Sequence, residues 1–203
     1  MHPSNTALIL VGFQNDYMAS NGVLRGVNEE PSRVDTLLAN TLGFINRMAA
    51  TPLMIVSTPI VLEPTFRALA NSEGILEMVK NSGAFKAGTA GADTIDQLLQ
   101  MGDRITYVAG KSGFNAFSHT ELDRALQAKN VKHVLVAGML TSLCIDSTAR
   151  AAYERGYSVT ILSDCCLGRT NPEQEFFMQN VFPLYAGVLD SQQALQRLSS
   201  AAA

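Results

Sequence analysis

Hydrophobic residues gather in six short runs along this chain, at 7–11, 53–57, 105–109, 131–137, 158–162 and 186–189. The runs are rich in Val, Ile and Leu, and several are apolar throughout instead of alternating with polar positions. That pattern marks strands covered on both faces. Between the runs the spacing changes. Val34, Leu37, Leu38, Ile45 and Met48 fall near the helical period, as do Leu122 and Leu126. Ser118-His119-Thr120-Glu121 has the form of a capping box and predicts a helix start at Ser118. Thr141 reads as the N-cap of a helix that carries Cys144, runs through Ala149, Ala151 and Ala152, and stops at Gly156. Residues 59–91 are the least regular stretch and read as helix plus loops, a candidate lid or interface. Residues 201–203 read as a frayed end. Strand and helix alternate over the whole length. The order predicts an α/β fold of three layers, a Rossmann-like, mainly parallel six-stranded sheet with helices on both faces, in one domain spanning 1–203.

In such a sheet, ligands bind beyond the carboxyl ends of the strands. The positions to inspect are therefore Gly12 to Asp16, Thr58, Gly110 to Ser112, Gly138 to Cys144 and Asp164 to Cys166. Cys144 would be the third residue of its helix. There the free N–H groups and the helix dipole favour a thiolate and can hold an oxyanion. Lys111 also stands at a strand end, beside Gly110, Gly113 and Asn115, where its ammonium would support a negative sulfur. A carboxylate at the end of the first strand would complete the set, but Gly12 occupies that place. Asp16 either caps the following turn or brings a carboxylate in from four residues further on. Phe13, Tyr17, Phe114 and Phe117 are either pocket walls or ordinary core. The adjacent Cys165 and Cys166 read as core or interface. His2, His119 and His133 are isolated, and neither CxxC nor HxxxH spacing occurs, so no metal is expected. The first strand–helix turn carries neither GxGxxG nor a P-loop, so no nucleotide cofactor is expected there.

The chain has 203 residues, enough for one α/β domain with a sizeable core. It is 47% hydrophobic and 16% charged, the balance of a folded protein. So few charges suggest buried subunit interfaces, and a homo-oligomer is expected. The net charge of −3 argues against nucleic acid as the main partner. No apolar run approaches the ~18 residues of a membrane span, and no charged-then-apolar leader is seen, so no membrane partner is expected. Three cysteines without signs of export predict reduced thiols and a cytoplasmic protein.

Three blocks carry a family resemblance. They are Ala7-Leu8-Ile9-Leu10-Val11-Gly12-Phe13-Gln14-Asn15-Asp16-Tyr17, then Lys111-Ser112-Gly113-Phe114-Asn115-Ala116-Phe117 with Thr120 and Leu122. The third is Gly138-Met139-Leu140-Thr141-Ser142-Leu143-Cys144 with Ser147-Thr148-Ala149-Arg150 and Gly156-Tyr157. Together they resemble the isochorismatase-like cysteine hydrolases, a superfamily that includes nicotinamidases, N-carbamoylsarcosine amidohydrolases and isochorismatases. The resemblance spans roughly residues 6–198. It implies a six-stranded parallel sheet and an Asp-Lys-Cys catalytic set. Cys144 would be the nucleophile and Lys111 its cationic partner. The N–H groups of Leu140 and Cys144 would form an oxyanion hole, and Met139–Leu140 would be a cis peptide. A dimer or tetramer is usual. The histidine motif of the metal-bearing members is absent.

Gly12 stands where that family carries its aspartate, the group that takes the thiol proton. Four explanations follow: a weak enzyme, a relay through Asp16, a ligand-binding protein on a dead scaffold, or an introduced substitution. The leading expectation is a hydrolase that attacks a small amide-type C–N bond through a thioester. The alternatives are a catalytically inactive binding or scaffold protein and an isochorismatase-type vinyl ether hydrolase.

Overall fold

A computed structural model of the chain describes residues 1–200. The end at 201–203 lies outside the described residues. Six parallel strands form one sheet: β1 (Thr6–Val11), β2 (Met54–Thr58), β3 (Thr106–Tyr107), β4 (His133–Met139), β5 (Ser158–Leu167) and β6 (Gly187–Leu189). Their spatial order is β3-β2-β1-β4-β5-β6. β1 is central, and every one of its residues is buried because helices cover both faces. Leu8 and Leu10 enter one core and Ala7, Ile9 and Val11 the other.

On the first face lie α2 (Ser32–Arg47) and α8 (Ser191–Ser199), with α3 (Gly74–Ser82) and the short α4 (Asp96–Leu99). The second face carries α5 (Leu122–Ala128) and α6 (Asp146–Glu154). A short α1 (Asn15–Met18) follows β1, and α7 (Asn171–Phe176) follows β5. α2 buries Val34, Leu37, Thr41, Phe44 and Ile45; of the positions its spacing marks, Leu38 is half-buried and Met48, also buried, follows the helix. Asp190 caps α8 in a reciprocal capping box with Gln193.

Several boundaries differ from the sequence reading. β3 is only two residues long. β5 runs on past Leu162 to Leu167, and its register against β4 shifts between Val136 and Gly138. Ser118 starts no helix: α5 begins at Leu122, and His119 takes a left-handed φ of 60°. The Thr120 hydroxyl donates to the Ala116 carbonyl at 2.6 Å and accepts from the Leu122 N–H at 3.3 Å, where α5 begins. Within 59–91, the regular helix is α3.

The chain leaves β1 toward β2 on one side and returns to β4 on the other. The carboxyl ends of β1 and β4 therefore flank the point where strand order reverses, the usual place for a ligand crevice.

Candidate active site

Cys144 sits in a π-helical turn, Thr141–Ile145, which joins β4 directly to α6. The entry to this turn is close-packed. A Cβ at Gly138, whose φ is 129°, would collide with the Val11 carbonyl, so only glycine lets β4 pass β1 here. The peptide between Met139 and Leu140 is cis. The Leu140 carbonyl then accepts from the N–H groups of Leu143 and Ile145, both at 3.1 Å. Single π turns inside helices recur at functional sites. Thr141 is no N-cap: its hydroxyl donates to Gln174 Oε1 at 2.6 Å. Cys144 still occupies the first turn of the continuous helical segment, at the positive end of its dipole.

Lys111 follows β3 in a loop that pairs with Ile60. Its side chain is 0% exposed. Nζ lies 3.6 Å from Cys144 Sγ and donates to the Gly113 carbonyl at 2.5 Å. Among the described residues it joins no salt bridge. Burial pushes the Lys111 ammonium below the usual lysine range, and a negative charge on Cys144 acts the other way. Tyr17 is pushed well above the usual phenol range, by burial first and then by the charges of Cys144 and Asp16. Its hydroxyl therefore stays protonated.

The thiol forms part of the wall of a narrow, tightly closed apolar cavity. Tyr17 and Phe114 line it, as two of the four sequence-predicted aromatics. Phe13 and Phe117 do not. Phe13 is sealed in the core on the first face, and Phe117 stacks on Tyr157 in the core on the second. Leu140 and Leu143 reach the cavity from the π turn, and Ser112 lies beside Lys111 in the lysine loop. Most of the remaining wall is Ile60, Leu62, Leu69, Val79 and Phe85. All five come from 59–91, the stretch that the sequence marks only as irregular. Their one signal there is an apolar residue every few positions without a fixed period.

Gly12 follows β1 with φ 78°, and Tyr17 packs over it. A Cβ at Gly12 would meet Tyr17 Cδ2 at 3.1 Å and the Met139 carbonyl at 3.2 Å. Asp16 does not reach into the cavity. Its Oδ2 accepts from Phe85 N–H at 2.6 Å, and its carboxylate packs against Gly91 on a separate cleft. Phe85 has a left-handed φ of 56°, unusual for a bulky residue. Asp16 holds it there, and Tyr17 meets its ring edge-on at 5.1 Å. Gln14, unremarked in the sequence, joins the end of β1 to the cavity wall. Its amide donates to the Ile60 and Ala92 carbonyls at 2.6 and 2.7 Å and accepts from Ile60 N–H at 2.8 Å.

Cys165 and Cys166 are both buried, one in each core, because neighbours on a strand point to opposite faces. Burial pushes both thiols up, away from ionisation. His133 bonds Thr160 Oγ1 at 2.9 Å at the start of β4, at the opposite end of that strand from the cavity. Among the described residues no three His, Cys, Asp or Glu side chains come together as metal ligands, and no helix is long and apolar enough to cross a membrane.

Residues 6–193 match the Isochorismatase domain. An uncharacterized isochorismatase family protein of Bacillus subtilis (strain 168), YddQ, is 28% identical over 165 residues, which cover 81% of this chain and 79% of the relative. The ureidoacrylate amidohydrolase RutB of Yersinia enterocolitica is 26% identical over 173 residues, 79% of this chain and 74% of that protein. Among solved structures, a cysteine hydrolase from Pseudomonas syringae pv. phaseolicola superposes with a TM-score of 0.81 at 19% identity, over 99% of this chain and 95% of its own. With nearly the whole chain matching the family's domain and the same fold around the strand-end crevice, this chain belongs to the isochorismatase family.

Proposed function

We propose that the protein is a cysteine-dependent hydrolase of a small amide-type C–N bond. The observation that carries the reading is a pair beside the cavity: the buried Lys111 nitrogen lies 3.6 Å from the Cys144 sulfur, and among the described residues no other charged side chain bonds to it. A thiolate beside an ammonium is a nucleophile. Cys144 attacks the carbonyl carbon, and the N–H groups of Leu140 and Cys144 hold the oxyanion. The amine leaves, and water resolves the thioester. The apolar walls select a small, flat substrate with few charges, and Tyr17, kept protonated, offers it one hydrogen bond. The relative named a ureidoacrylate amidohydrolase places ureido and carbamoyl compounds first among substrates to try. The reading includes a single domain, a cytoplasmic protein and a homo-oligomer. Exposed Tyr153, Phe176 and Leu184 are the apolar groups such an assembly would cover.

The test is turnover of a panel of small carboxamides and N-carbamoyl compounds by the parent and by Cys144→Ala. Hydrolysis by the parent that disappears in the variant supports the reading, and a thioester trapped by intact-mass measurement would assign the nucleophile. Hydrolysis that survives in Cys144→Ala would refute the cysteine mechanism. Gly12 favours a second reading, a binding protein on the same scaffold. Ligand binding by calorimetry, with no turnover across the panel, would establish that instead.

A further inference from the structure

The proton that leaves the Cys144 thiol needs an acceptor, and the cavity offers few. Gly12 has no side chain, and its φ of 78° and the Tyr17 ring above it leave none a relaxed place. Asp16 is engaged by the Phe85 N–H and lies on another cleft. The Tyr17 phenol is buried and protonated. The loop from Ser112 to Phe114 and the Ile60 segment bring no titratable side chain to the cavity wall. Among the described residues, the amine of Lys111 is left as the one basic group within reach of the sulfur, at 3.6 Å.

We infer that Lys111 itself carries the catalytic proton, taking it from the thiol and delivering it to the leaving nitrogen, in place of a carboxylate. This rests on the hydrolase reading above. Transfer of the proton turns thiol and amine into thiolate and ammonium, which keeps the pair neutral overall and keeps the two charges adjacent. The Gly113 carbonyl, which accepts from Nζ, holds the nitrogen in place.

The covalent step then reverses the role of the lysine. As Sγ bonds to the carbonyl carbon, the negative charge moves to the carbonyl oxygen. When the tetrahedral adduct collapses, the C–N bond breaks and the nitrogen takes its electron pair and a proton from Lys111. With no thiolate left beside it, the buried ammonium is a lone desolvated cation and readily gives up that proton. The products of this half are a free amine, a thioester and a neutral Lys111. Water next attacks the thioester carbon while Lys111 takes one of its protons. The C–S bond breaks, its electron pair returns to sulfur, and the carboxylic acid departs. The thiolate–ammonium pair is restored. One water has added across one C–N bond, with nothing oxidised or reduced.

The test uses the full chain with Lys111→Arg and Lys111→Met. Arginine keeps a positive charge but holds its proton at every working pH, and methionine fills the space without charge. Two rates are read by intact mass: alkylation of Cys144 by iodoacetamide, and decay of the acetyl-enzyme formed with p-nitrophenyl acetate. The arginine variant should still alkylate, but its acetyl-enzyme should decay about 100-fold more slowly than the parent's, the scale of a lost general base. The methionine variant should be slow in both. In the parent, decay should rise with pH through the lysine titration, because the neutral amine is the active form. Decay at the parental rate in either variant would overturn the inference. So would a methionine variant that alkylates as fast as the parent. A parent whose alkylation depends on Lys111 but that neither ester nor amide acylates would refute the hydrolase reading and leave the proton sharing intact.

Discussion

Gly12 does more than lack a side chain. Its backbone lies in the left-handed region, and the Tyr17 ring packs over it. Placing a carboxylate there is thus no simple substitution. An L-residue at this φ costs about 1–2 kcal/mol, and the contacts with Tyr17 and the Met139 carbonyl add to that. Both Gly12→Ala and Gly12→Asp should lose about 1–2 kcal/mol of unfolding free energy in urea. Parental stability in either would show that this strand end turns freely to negative φ. The sequence reveals the departure at position 12, because a residue type can be read directly. It does not reveal that Tyr17, five positions on, fills the gap. That depends on α1 folding back over the strand end. The same holds for Asp16, whose charge reads as available in sequence and proves to be committed to the Phe85 N–H.

At the scale of elements, the segment from β4 through the π turn to α6 sets the thiol's position, and α7 braces it from outside. Gln174, buried, accepts from the Thr141 hydroxyl at 2.6 Å and from Gly168 N–H at 2.8 Å, and donates to the Cys166 carbonyl at 3.1 Å. One side chain therefore ties the π turn to the end of β5. Gln174→Ala leaves the buried Gly168 N–H without this acceptor and should cost about 1–3 kcal/mol of stability. It should also slow alkylation of Cys144, because the turn loses its brace. Guanidinium denaturation and iodoacetamide kinetics check the two effects. Unchanged alkylation in a destabilised variant would mean that the turn holds its shape alone. None of this bracing is legible locally. Thr141 has the composition of an N-cap, but its hydroxyl finds a partner 33 residues away. A helix start was readable, and the extra residue that makes it a π turn was not. β5 misleads for a related reason. Ser163 and Asp164 look like the end of a strand, yet the strand continues because Asp164 is satisfied by the Ser191 N–H and hydroxyl at 2.8 and 2.6 Å.

For the whole molecule, the clearest pH effect lies far from the thiol. His133, at the amino end of β4, is pushed down to about 4, by burial first and then by the positive charges of the amino terminus and Arg197. The unfolded chain protonates this histidine near 6.5, while the folded chain resists. Between those values the unfolded state binds more protons, so stability falls as pH drops from about 6.5 toward 4. His133→Gln should flatten that part of a melting-temperature profile. An identical slope in parent and variant would assign the acid sensitivity to other groups.

The sequence by itself determined the six-stranded α/β layering and the family, together with the residues most worth testing, Cys144 and Lys111. Those features are written in local periods of apolar residues and in short motifs, which need no knowledge of what lies across the fold. The tertiary structure alone decided which side chains wall the cavity, which carboxylate is already engaged, and that the ammonium meets the sulfur without an acid between them. Each of those depends on segments tens of residues apart closing onto one strand-end crevice. Contact of that kind is a property of packing, and no local pattern of residues encodes it.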